Sequence, residues 1–89
     1  MLKPIRKKSF YKDFKKCQKR GKDISKLEKV IELLEANQIL PLKYRDHKLI
    51  GNFDGYRECH IEPDWLLIYK ITDTELILYQ TGSHADLFE

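Results

Sequence analysis

Seven consecutive residues, Trp65 to Ile71 (WLLIYKI), are apolar but for one lysine, in a chain of only 89 residues. A half-buried strand alternates apolar and polar positions, so a run without alternation is expected of a central strand covered on both faces. The rest of the chain must then supply neighbours beside this strand and layers over it. Tyr56 to Ile61 and Glu75 to Gln80 read as the neighbours, joined to it through Glu62-Pro63-Asp64 and Thr72-Asp73-Thr74. Connections this short form hairpins, so these strands run antiparallel. Leu2 to Arg6 is a weaker strand candidate, which Pro4 confines to an edge or a strand start.

The covering layer comes from the first half. Phe10, Phe14 and Cys17 recur at helical spacing behind Ser9, a candidate cap, and Gly21 is the natural stop. A second helix begins near Asp23 or Ser25, where Ser25 and Glu28 have capping-box spacing. Its stripe is Ile24, Leu27, Val30, Ile31 and Leu34, and it ends at Asn37 ahead of Pro41. Residues 41–52 are polar and irregular and read as a loop carrying Arg45 and His47. The expected fold is α+β, one domain over 1–89 in the order β-α-α-β-β-β, with an antiparallel sheet packed on two N-terminal helices.

Such a chain has room for one small core and no separate cofactor domain. It has no apolar run near the ~20 residues of a membrane span, and its basic start lacks an apolar signal-peptide region. No membrane partner is expected, and the default location is cytoplasmic. Cys17 and Cys59 are too few for a disulfide framework and read as reduced and buried. The net charge of +3 hides an asymmetry: residues 1–30 carry twelve Lys/Arg against three acids, and residues 31–89 five against eleven. The basic third is a candidate surface for RNA or an acidic protein, or simply a solvated lysine-rich face.

Three histidines fall in the second half, in Asp46-His47-Lys48, Glu58-Cys59-His60 and Gly82-Ser83-His84. Cleaving RNA without a metal needs a base for the 2′-hydroxyl, an acid for the leaving 5′-oxygen and positive charge near the phosphorane. Histidine suits both proton steps because it titrates near neutrality. Asp64 can serve as the base or orient a histidine, and Arg57, Arg45 and Lys48 can supply charge. The histidine spacing matches no metal motif, and neither metal nor cofactor is expected. Each residue also has a structural reading. His47 can be a solvated loop residue, His60 can lie on an exposed sheet face beside Glu58, and Trp65 can be core. His84, in a turn beyond the last strand, is explained least by packing, and Phe88 near the terminus must pack or contact a ligand. Taken alone, these residues describe a small basic α+β domain that can bind RNA.

The segments Leu40 to His47 (LPLKYRDH), Gly55 to Tyr69 (GYRECHIEPDWLLIY) and Thr81 to Phe88 (TGSHADLF) closely resemble the YafQ-like branch of the RelE/ParE toxin superfamily. The resemblance runs along nearly the whole chain and implies a RelE-like fold and a bacterial type II toxin, an endoribonuclease that cleaves mRNA on the ribosome. Position by position, it implies that His47, His60, Asp64 and His84 are catalytic and that Trp65 and Phe88 contact the substrate. Arg57 and Glu58 stand where the family has polar groups beside the site. Other RelE relatives use lysines and arginines in place of these histidines, and the gyrase-directed ParE branch lacks the set. The implied partners are mRNA, ribosomal RNA gripped by the Lys-rich first helix, and a cognate antitoxin, with operator DNA reached only through the antitoxin complex. The competing reading is a non-cleaving module that binds ribosome or nucleic acid and regulates by occupancy.

Overall fold

The computed structural model describes residues 1–88. Five strands form one sheet in the spatial order β1-β5-β4-β3-β2: β1 Lys3–Arg6, β2 His47–Lys48, β3 Arg57–Glu62, β4 Trp65–Ile71 and β5 Glu75–Gly82. Helices α1 (Lys8–Lys19) and α2 (Ile24–Glu35) follow β1, and a short α3 (His84–Phe88) follows β5. The apolar run is the central strand, with Trp65, Leu66, Leu67 and Ile68 all fully buried. Its pairings with β3 and β5 are antiparallel as expected. The sheet as a whole is mixed, however, because β1 lies parallel to β5 with Ile5 opposite Ile77. A parallel neighbour needs a long crossover, and the segment containing both helices and the first two hairpin strands provides it.

One face of the sheet carries Cys59, Ile61, Trp65, Leu67, Tyr69, Leu76 and Leu78, packed against Phe10 and Cys17 of α1 and the Leu27, Val30, Ile31 and Leu34 stripe of α2. The turn between the helices is made by Gly21 at φ +77°, a backbone conformation that costs glycine little. Asp23 caps α2 by accepting from Ser25 N–H. Ser9 does not cap α1. The cap position is Lys7 without a side-chain bond, and Ser9 Oγ donates instead to Tyr79 O at 2.5 Å, fastening the first turn of α1 to β5. Asp13 adds a second fastening by accepting from Thr81 N–H at 3.1 Å.

Register fixes what the opposite face presents. His60 stands across from Leu66, which stands across from Gly82, and Glu58 is opposite Ile68, which is opposite Gln80. His47 of β2 pairs with Glu58. The face away from the helices therefore has a floor of buried Leu66 and Ile68, with polar residues in two rows around it.

Candidate active site

His47 reaches this face because the chain before it is bent and anchored. Arg45 ends a 3₁₀ turn (Leu42–Tyr44) in the left-handed region at φ +47°, and its carbonyl accepts from His47 Nδ1 at 2.7 Å. Asp46 points the other way. It accepts from Arg57 Nε and Nη2 at 3.3 and 3.1 Å and from the Tyr69 hydroxyl, tying the loop to β3 and β4. Burial, with the Asp46 carboxylate second, pushes the Tyr69 hydroxyl well above the phenol range, so it remains a donor. The other ring nitrogen of His47, Nε2, lies 2.8 Å from Glu58 Oε2. Both nitrogens thus face oxygen acceptors, an arrangement that a doubly protonated, cationic ring satisfies completely.

His60 has a different environment. Its Nδ1 is 3.1 Å from Pro63 O, and a carbonyl only accepts, so this nitrogen carries the proton and Nε2 has no partner among the described residues. His84 opens α3, and there a single oxygen, Asp64 Oδ1, accepts from both its backbone N–H at 3.0 Å and its ring Nδ1 at 2.6 Å. These two bonds, backbone first, hold the Asp64 carboxyl below its ordinary pKa. The three rings form a row, His47 to His60 at 6.3 Å and His60 to His84 at 5.8 Å between centroids, and Phe88 continues it 6.4 Å beyond His84.

The remaining expected residues divide. Phe88 is 44% exposed and stands edge-on to Phe53 at 5.7 Å, leaving ring surface open beside His84. Trp65, expected against the substrate, is fully buried on the helix side, where its Nε1 donates to Thr81 Oγ1 at 3.0 Å and Thr81 Oγ1 donates to Leu66 O at 2.7 Å. It is a core residue with no face for a base: the odd positions of β4 point toward the helices. Glu58 is also buried and reaches the site through His47, not through open solvent. Arg57 is committed to Asp46. Nothing in the sequence links Asp46 to Tyr69, since their contact joins a loop residue to a strand residue 23 positions away.

Beside His60 opens a cleft of about 400 Å³ whose lining includes Lys26, Lys29, Lys43 and Arg45 together with Glu62. A second basic surface, formed by Lys8, Lys12, Lys15, Lys16 and Lys19, lies along α1. Among the described residues, no group of three His, Cys, Asp or Glu side chains has the geometry of a metal site.

The family described as "Bacterial toxin of type II toxin-antitoxin system, YafQ" matches residues 2–89. The mRNA interferase toxin YafQ of Escherichia coli K12 is 51% identical over 80 residues, covering 89% of this chain and 87% of that protein. The crystal structure of YafQ from E. coli BL21(DE3) superposes with a TM-score of 0.95 at 44% identity, covering all of both chains. A structure of the E. coli DinJ–YafQ toxin–antitoxin complex gives a TM-score of 0.93 at 46% identity, covering 99% of this chain and 98% of that one.

Proposed function

The chain belongs to the YafQ family of bacterial type II toxins and is an mRNA interferase, and from that premise we propose a metal-independent cut made by its histidine row. In this reading His60 Nε2 takes the proton of a 2′-hydroxyl, and the oxygen attacks the adjacent phosphorus. The bond to the 5′-oxygen breaks, and His84 Nε2–H protonates that oxygen as it leaves. The products are a 2′,3′-cyclic phosphate and a 5′-hydroxyl. The observation that carries this assignment is the hydrogen bonding of the two rings, since each uses Nδ1 as a donor and keeps Nε2 for the substrate. A carbonyl partner suits a neutral base in His60, and a carboxylate partner suits the protonated acid in His84. Asp64 then orients His84 and balances its charge. This differs from a role for Asp64 as the base, and follows from the two bonds by which Asp64 Oδ1 holds His84.

His47, held by Glu58, is placed to donate to the phosphorane, and Arg45 and Lys48 beside it in the chain supply positive charge. Phe88 offers its open face to a base. The cleft beside His60 extends the basic surface along which a message can run, and the lysines of α1 suit ribosomal RNA, so the substrate is taken to be mRNA on the ribosome. The toxin pairs with a cognate antitoxin, as the related E. coli protein does with DinJ. An acidic antitoxin segment matches the basic face, and operator DNA is reached only through that complex. No helix among the described residues is long and apolar enough to cross a membrane, and the cytoplasm, where ribosomes are, is the proposed location.

Mass spectrometry of fragments made in EDTA tests the chemistry. Cyclic phosphate and 5′-hydroxyl ends support it. Ends bearing 5′-phosphate, or activity abolished by the chelator, refute it in favour of metal-dependent hydrolysis. Parental ribosome binding with an uncut message supports the occupancy reading instead.

A further inference from the structure

α3 has five residues, too few to hold a helix in water unaided, yet it carries both His84 and Phe88. Its shape comes from Asp86. Asp86 Oδ2 accepts from Ser83 N–H at 3.0 Å, and Ser83 Oγ accepts from Asp86 N–H at 3.1 Å, a reciprocal box about the first turn. The same carboxylate is gripped from the end of α1, where Arg20, just past the helix, donates through Nη1 and Nη2 to its two oxygens at 2.6 and 3.2 Å and Lys16 Nζ stands 3.5 Å away. Gly82 makes room for this. A Cβ there would lie 3.0 Å from both Cβ and Oδ2 of Asp86, so a side chain would push the carboxylate out of place.

The other partner of His84 is held from the same region. Asp64 follows Glu62-Pro63 in the β3–β4 turn, and Glu62 is bound by Lys26 at 2.9 Å and Lys22 at 3.5 Å. Arg20, Lys22 and Lys26, at the junction of the two helices, thus grip both elements on which the His84–Asp64 pair is mounted. Neither Arg20 nor Asp86 touches the substrate side of the histidine row.

We propose that Arg20 and Asp86 are positioning residues for RNA cleavage, their bidentate pair fixing the orientation in which α3 presents His84 to the leaving oxygen. The Glu62 pairs hold Asp64 in the matching place. The assignment rests on His84 as the acid of the cut. A planar guanidinium on both carboxylate oxygens restrains rotation as well as distance, which one ammonium does not. Displacement of an acid by about 1 Å can cost on the order of 10²-fold in rate.

The test is single-turnover cleavage of ribosome-bound message by Arg20→Gln, Asp86→Asn and the double variant, with His84→Ala alongside. The first two are expected to cut roughly 10- to 100-fold more slowly at saturating substrate, with KM little changed. The double variant should be no slower than the slower single one, because both remove one contact. Nitrogen-15 NMR of His84 should show its Nδ1–H bond to Asp64 weakened, and the basic limb of the pH–rate profile, where the acid loses its proton, should shift with it. Arg20→Lys should restore part of the rate. Arg20→Gln leaves the Ser83–Asp86 box intact, so it decides the matter even if Asp86→Asn does not fold. Parental rates at saturation in folded Arg20→Gln, or a deficit lying wholly in KM, would overturn the proposal, while inactive His84→Ala keeps His84 as the acid. Parental cutting by His84→Ala would overturn the assignment of His84 as the acid itself.

Discussion

Asp64 Oδ1 accepts two hydrogen bonds from His84, one from its backbone N–H and one from its ring, at 3.0 and 2.6 Å. The first fixes where the residue starts α3, and the second fixes which ring nitrogen faces the substrate. Asp64→Asn keeps an oxygen for the backbone bond but removes the charge opposite the ring and permits the other tautomer. Cleavage is expected to fall by about 10²-fold or more, with the fold unchanged, as positioned proton-transfer groups contribute ~10²–10⁴-fold. Rate measurements beside a thermal melt check this, and parental activity in Asp64→Asn would detach the carboxylate from the mechanism.

Phe88 and Trp65 should respond oppositely to truncation. Phe88→Ala exposes no core and removes a stacking face worth ~1–3 kcal/mol per base, so activity should drop with little change in melting temperature. Trp65→Ala empties a fully buried site and strands the Thr81 hydroxyl as an acceptor, at a cost of about 3–5 kcal/mol in stability. Denaturant titrations of the two variants separate these outcomes, and a large stability loss in Phe88→Ala would make it a packing residue.

The Asp46 anchor should matter to His47 without touching it. Tyr69→Phe removes the hydroxyl donor to Asp46, a charged acceptor, for which a loss of ~1.5–3 kcal/mol is expected. The strain should concentrate in the loop before β2. Hydrogen exchange is expected to show faster exchange at Arg45 N–H, which bonds Leu42 O, together with reduced cleavage. Unchanged exchange there would mean that Arg57 alone secures the loop.

Acid should loosen the site in a defined window. Asp86, Asp64 and Glu62 all have pKa values held below the ordinary carboxylate range, chiefly by the Arg20 side chain, the His84 N–H and the Lys26 ammonium respectively. A depressed folded pKa contributes stability above the unfolded value and loses it as pH falls through the folded value. With unfolded carboxyls titrating near ~4, the three contributions should be constant between about pH 5 and 8 and fade below about 4. Calorimetry across that range should show a shallower acid decline in Asp86→Asn than in the parent. Parallel curves would mean that the ion pair persists in the unfolded chain.

Among the described residues, the lysines of α1 other than Lys16 make no ion pair, and the basic groove there includes Lys8, Lys12, Lys15 and Lys19. Substituting Lys12, Lys15 and Lys19 together with alanine should lower the slope of log K for ribosome binding against log salt by about 0.7–0.9 per lost phosphate contact. The cut position should not move. An unaltered slope would leave this face to solvent or the antitoxin.

Long periodic segments are legible in the sequence. The helix stripes through Phe10 and Cys17 and through Leu27, Val30 and Leu34, and the unbroken apolar run of β4, each declare a face by spacing alone. The parallel pairing of β1 was hidden, because a four-residue strand containing Pro4 carries no signal about its partner. β2 is two exposed residues and has no periodicity to read. α3 left one trace, the Ser83–Asp86 spacing of a reciprocal cap, beside the Gly82 that the close carboxylate requires. Trp65 misled because a strand buried on both faces does not reveal which side any one residue takes. Glu58 and His60 were placed on one face correctly by alternation, whereas the Asp46–Tyr69 contact depended on tertiary proximity.

The most direct measurement uses a message whose scissile 5′-oxygen is replaced by sulfur, a leaving group that departs without a proton. If His84 is the acid, His84→Ala should cut this message nearly as fast as the parent protein does, while remaining slowed by roughly 10²–10⁴-fold on the ordinary message. Equal slowing of His84→Ala on both messages would contradict the assignment of His84 to the leaving oxygen, and with it the proposed use of the histidine row.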